Sequence, residues 1–123
     1  MIIIDGISYD IPVLDVKRNA DFLDRFAERT IDGILHRQLI GVYFNYTLQF
    51  GAIANTTEYA RLWAKLTEAV EFHTVTVPDE NGDFTFIAYF SGVSDRLRKQ
   101  KNVKNFWKDL TVNFIAQAPA RPK

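Results

Sequence analysis

The sequence predicts a mainly β domain with one helix: an antiparallel two-sheet sandwich, or a partly closed barrel, of about seven strands. Three observations carry that expectation. Hydrophobicity alternates with a period of two, most clearly over residues 42–50. There Val42, Phe44, Tyr46, Leu48 and Phe50 fall on one face and Tyr43, Asn45, Thr47 and Gln49 on the other. Asp-Gly pairs at Asp5-Gly6 and Asp32-Gly33 are strong signals for tight hairpin turns. Helical spacing is clear only at Tyr59, Leu62, Trp63, Leu66 and Val70.

The elements follow in order. Asp5-Gly6 separates a strand at Ile2–Ile4 from one at Ile7–Val16, and Pro12, with no donor for a ladder, marks an edge or bulge in the second. Asp32-Gly33 joins strands at Asp24–Thr30 and Ile34–Gln38. Residues 20–30 are ambiguous, because Ala20, Phe22, Leu23, Phe26 and Ala27 would also line two helical turns; the Asp-Gly turn favours extended chain from Asp24. Gly51 ends the long strand. Asn55 with Glu58 three residues on approximates a capping box, and a helix is expected over residues 56–70 with Arg61, Lys65 and Glu68 on its solvated side. Strands resume at Phe72–Val77 and Phe84–Ser91 around a polar loop at 78–83, with Ser91-Gly92 as a turn at the strand end. The last strand is Phe106–Ala116. Residues 1–116 form one β-rich domain, and the proline-containing tail at 117–123 is expected to be extended and mobile.

Composition removes whole classes of function. The 123 residues suffice for one domain with its own core, and ten Phe, five Tyr and two Trp exclude a solvated, disordered chain. There is no cysteine, hence no disulfide framework, thiolate metal site, iron–sulfur cluster or cysteine nucleophile. Fifteen basic residues balance fifteen acidic ones, so no global field attracts nucleic acid or a membrane. No apolar run approaches the roughly 20 residues that span a bilayer. The opening Ile2-Ile3-Ile4 lacks a preceding basic region and reads as a strand, not a signal peptide. The chain is expected to stay in the compartment where it is made, unless an assembly carries it out.

Catalytic signatures are missing from the sequence. His36 and His73 lie in different strands without the short spacing of metal ligands, and both read as structural. Ser8, Ser91 and Ser94 sit in no Gly-x-Ser-x-Gly turn, and no glycine-rich phosphate loop occurs. The early carboxylates Asp5, Asp10, Asp15, Asp21 and Asp24 read as solvated turn and strand positions, although a carboxylate pair could meet in the fold. The expectation is a protein without enzymatic activity, cofactor or metal.

Charge, though balanced, is segregated. Residues 1–32 hold seven acidic side chains against four basic ones, and residues 79–83 add three more acidic. The segment from Asp95 to Lys104, with Lys108, carries six of the fifteen basic residues. Its Arg96, Arg98, Lys99, Lys101 and Lys104 are the candidate subunit-interface residues, a basic arm placed to meet an acidic surface on the next copy. Different complementary patches of this kind make head-to-tail contacts that close into rings or run on as tubes. Two other readings stay open: a solvated loop, and a binding module in which the 96–104 loop contacts nucleic acid or a peptide, with Phe106 and Trp107 as stacking groups.

Two stretches carry a family resemblance. One runs from Ala27 to Arg37 and on through Ile40-Gly41-Val42-Tyr43-Phe44-Asn45-Tyr46, and the other from Trp107 to Ala116 with Pro119 after it. They resemble small structural proteins of prophages in Gram-positive bacteria, as does the order of strands, one helix, then strands found in tail-tube and baseplate subunits of long-tailed phages. The resemblance implies a virion component with a two-sheet β fold that assembles through sheet edges and extended arms. Its partners would be copies of itself and other phage tail proteins, with no membrane and no nucleic acid. Its location would be the bacterial cytoplasm during assembly and then the virion tail. It brings no active-site residues with it.

Overall fold

A computed structural model of the chain describes residues 2–9, 11, 13–51, 56–98 and 106–123. The order of elements is β1 (Ile2–Ile4), β2 (Ile7–Tyr9), β3 (Val13–Arg29), β4 (Leu35–Phe50), α1 (Thr56–Leu66), β5 (His73–Asp79), β6 (Gly82–Arg98), β7 (Phe106–Ala116) and β8 (Arg121–Pro122). The mainly β, antiparallel expectation with one helix holds. All eight strands belong to one hydrogen-bonded sheet in the order β2-β1-β5-β6-β7-β4-β3, with β8 added beside β4, and the sheet does not close into a barrel. It does curl. β4 and β6 flank β7 and in a flat sheet would stand about 10 Å apart. Their aromatic side chains nevertheless meet, Tyr46 on Phe86 at 5.4 Å and Phe44 on Phe84 at 6.3 Å between centroids. Arg18 of β3 even reaches Glu80, in the turn between β5 and β6, at 2.6 Å.

The alternating residues of β4 do what their period requires. Tyr46, Leu48 and Phe50 are buried with Val75, Val77, Leu110, Val112 and Phe114 in one core, which α1 closes with Tyr59, Leu62 and Leu66. The helix stops at Leu66 rather than at residue 70. There Thr67 turns its hydroxyl onto the Trp63 carbonyl at 2.7 Å, and the Glu68 amide tightens onto Lys65, so Val70 lies beyond the helix and is exposed. The capping residue Asn55 lies outside the described residues.

Several boundaries move for identifiable reasons. The expected strand Ile7–Val16 is two strands: β2 pairs back on β1 across the Asp5-Gly6 turn, and β3 starts afresh at Val13; Pro12 lies outside the described residues. Residues 20–30 are extended, and the strand begins well before Asp24. The turn explains this, since Thr30 and Ile34 are bonded at 2.9 Å, Asp32 accepts from the Ile34 amide at 3.3 Å, and Arg29 donates to the Gly33 carbonyl at 2.7 Å. That closure locks Arg29 opposite Leu35 and propagates the ladder down both strands. The polar loop expected at 78–83 shrinks to Glu80 and Asn81, because pairing continues to Asp79 opposite Gly82. Ser91-Gly92 ends no strand. Gly92 has φ +62° and forms a bulge, through which β6 continues to Arg98. A Cβ at Gly92 would stand 2.7 Å from the Asn113 side chain. β7 has the expected bounds.

The tail is extended as expected, but it is docked. Gln117 donates to the Ile87 carbonyl and Ala120 to the Val42 carbonyl, each at 2.9 Å, and β8 pairs Gly41 and Val42 with Pro122 and Arg121. Gly41 makes the approach possible, since a Cβ there would meet Pro119 at 2.7 Å and the Arg121 carbonyl at 3.2 Å. Among the described residues no helix is long and apolar enough to cross a membrane.

Candidate functional site

The feature with the least structural justification inside the monomer is the outer half of the β3–β4 hairpin. Over the described residues β3 bonds to β4 alone, and β4 has further partners only at Gly41–Val42 (β8) and Tyr46–Gln49 (β7). Residues 24–29 and 35–39 therefore pair only with each other and project about 20 Å as a two-stranded arm. Its polar grip is modest. Arg37 binds Asp24 at 2.6 Å and its guanidinium lies 5.5 Å from the Phe22 ring, both near the surface. A two-stranded ribbon is marginal in water unless something covers its apolar side. Here Phe22 (61% exposed), Leu23, Phe26, Ile34, Leu35 and Ile40 are all uncovered, and Ile31 at the tip is fully exposed. Scattered exposed hydrophobics are ordinary, but this many on one projecting hairpin mark a contact surface.

The second surface lies where the tail crosses the sheet. Residues 116–120 wall a groove of about 300 Å³ whose floor includes Phe44, Phe84, Phe86 and Ile87. Arg121 stands over the Phe44 ring at 5.7 Å. Ile87 lines the groove from the outer face of β6, opposite to the face of Phe84 and Phe86, and on that outer face Tyr89 is in edge contact with Phe72 at 6.5 Å; Ile87, Tyr89 and Phe72 are all exposed.

Of the candidate interface residues, Arg96 is exposed on β6 and Arg98 ends that strand, so neither lies in the expected loop. Lys99, Lys101 and Lys104 lie outside the described residues, as do the side chains of Phe106 and Trp107. The register sets Arg96 opposite Lys108 in the β6–β7 ladder; the side chains of Arg98 and Lys108 also lie outside the described residues.

A polar cluster that the sequence reading did not find joins three distant segments. The Asp5 carboxylate, projected from a left-handed residue of the β1–β2 turn, lies 2.7 Å from His73 Nδ1 and accepts the Thr74 amide at 2.9 Å. His73 is only 5% exposed and stacks on Phe90 at 4.6 Å, and Phe90 lies 4.8 Å from Phe114 in the core. Burial would raise the Asp5 carboxyl, but the bonds from His73 and Thr74, with the charge of Lys65, outweigh it and hold the group below the ordinary value. Asp5, Glu68 and His73 place three ligand atoms within 4.8 Å of one another, the only such group among the described residues. A divalent cation would have to evict Lys65, whose ammonium stands 3.2 Å from Glu68 and 3.7 Å from Asp5 and already supplies the positive charge. The cluster therefore works as an internal clamp, pinning the first hairpin and the end of α1 to β5. Only the Asp-Gly turn was visible beforehand; residues 68 positions apart give no sequence signal.

The clamp has a testable pH dependence. With its folded pKa below the unfolded value near 3.8, Asp5 stabilises the fold fully above that value and loses the contribution as pH falls through the lower, folded one. The gap in urea midpoint between the native protein and Asp5→Asn is expected to be constant from about pH 6 to 5 and to shrink below about pH 4. A gap that widens in acid would refute the assignment.

A final polar contact joins Tyr59 to Asp95, where burial and then the hydrogen bond to the carboxylate push the phenol above its ordinary pKa. Comparison of the chain with family models, with curated proteins and with solved structures gives no match.

Proposed function

We propose that this protein is a non-catalytic structural subunit that assembles with copies of itself, as a ring or tube in the tail of a bacteriophage or prophage. The observation that carries the reading is the projecting β3–β4 arm with its uncovered Phe22, Leu23, Phe26 and Ile31. Burial of apolar surface is worth about 25 cal/mol per Å², and an arm whose apolar side chains stay about half exposed or more keeps that driving force for association. The formal charge of zero removes the net repulsion that would keep copies apart. The resemblance of residues 27–46 and 107–116 to small prophage structural proteins supports the setting. In it the subunit meets other tail proteins, and moves from the bacterial cytoplasm to the virion. Sedimentation velocity across a concentration series should show species that grow with concentration, with rings or tubes in negative stain. A single monomeric species at high concentration and low salt would remove the proposal.

One observation favours a second reading. The register sets two basic residues, Arg96 and Lys108, opposite each other in the β6–β7 ladder, so the basic residues of this segment continue into the sheet. In this reading the 96–104 segment binds nucleic acid or an acidic peptide. Titration with single-stranded DNA at several salt concentrations separates the two, since phosphate contacts require a steep salt slope.

A further inference from the structure

We propose that the tip of one copy's arm seats in the tail-walled groove of a second copy, with Ile31 as the anchor. The inference rests on the self-assembly reading and names the two surfaces that meet. Ile31 sits at the tip of the projecting β3–β4 arm, fully exposed, on a turn that is held by hydrogen bonds of Thr30, Asp32 and Arg29. A large apolar side chain presented on a pre-ordered turn is already organised to dock, because little conformational entropy remains to be lost. The groove suits it. Its volume is about 300 Å³, room for roughly ten waters at about 30 Å³ each and more than one aliphatic side chain needs. Phe44, Phe84 and Ile87 make its surface apolar.

The occupant cannot be the same chain's arm. That arm is rooted at the groove itself, where Ala120 bonds the Val42 carbonyl and Phe44 forms part of the lining. From Val42 to Leu35 the strand runs outward by more than about 20 Å, and its ladder prevents it from doubling back. A second copy supplies the same tip without that restraint. Charge agrees: Asp32 beside Ile31 is held ionised by Thr30 and the Ile34 amide, and Arg121, next in the chain to the wall residue Ala120, stands over the ring of Phe44, which lines the groove. A tip–groove contact is head-to-tail, so a joined pair keeps one free tip and one free groove, and the assembly closes as a ring or extends.

The absence of cysteine allows a clean test. Ile31→Cys and Ala118→Cys chains are prepared separately, Ala118 being an exposed residue of the groove wall, mixed in equal amounts and mildly oxidised. The expected result is a covalent dimer of one chain of each kind, with little product from either alone. Dimers of Ile31→Cys with itself would mean a two-fold arm-to-arm contact and overturn the proposal. So would intact oligomers with no mixed dimer, which leave self-assembly standing, whereas absence of any oligomer defeats both readings. Ile31→Asp should weaken association about tenfold or more without changing the monomer's melting temperature. Unchanged association of that variant would also overturn the proposal.

Discussion

Replacing Phe22 and Phe26 together by Asp is expected to abolish association while leaving the fold intact. The two rings are 61% and 46% exposed and lie outside the core. Their loss costs the monomer little beyond the contact of Arg37 with the Phe22 ring, about 0.5–1 kcal/mol at an exposed site. In an interface the same rings are anchors. Buried aromatic anchors typically cost about 2 kcal/mol or more each on truncation, close to thirtyfold in affinity per ring, and a buried charge adds to that. Light scattering coupled to size exclusion reads the first quantity and calorimetry the second. Equal oligomer populations in variant and native protein would show that the arm is not the contact. A collapsed melting temperature would show that the arm is integral to the monomer.

Phe114→Ala is expected to have the opposite signature, a loss of about 3–5 kcal/mol in unfolding free energy. Phe114 is fully buried at the crossing of three supports: it lies opposite Tyr46 in the β4–β7 ladder, opposite Phe90 in the β6–β7 ladder, and its ring lies 4.8 Å from that of Phe90. Truncation leaves a cavity that the paired backbones on both sides cannot close. It also removes the support behind the Phe90–His73 stack, so the Asp5 clamp should loosen with it. For a domain whose total stability is on the order of 5–15 kcal/mol, this is a large fraction. Urea unfolding measures it, and a change below about 1 kcal/mol would mean that this centre is not where the sheet is held.

Where the strands run was mostly legible, because a half-buried strand writes its period into neighbouring residues. β4 shows this, with Tyr46, Leu48 and Phe50 buried on the alternation that announced them. Legibility failed where a single residue has two local solutions. Phe22, Leu23 and Phe26 fit a helix face as well as a ribbon, and the closed turn at 30–34 decides between them. It failed again at Ser91-Gly92, where a glycine with positive φ reads as a turn but the continuing ladder makes it a bulge. Charge segregation drew attention to residues 96–104, whereas the uncovered apolar surface is on the arm, and alternation by itself does not say which face finds a partner.

By itself the sequence determined a mainly β chain with one helix, its Asp-Gly turns, its neutral charge and its lack of cysteine chemistry, all properties of adjacent residues or of sums. Only the tertiary structure decided that the strands form one curled, open sheet, that the tail straps across it at Gly41, and that Asp5 meets His73. It also decided that, among the described residues, half of one hairpin pairs with no other strand. The physical reason is common to all four. Each depends on which distant backbones come within hydrogen-bonding distance, and burial selects that among the whole chain's alternatives, whereas no local pattern encodes it.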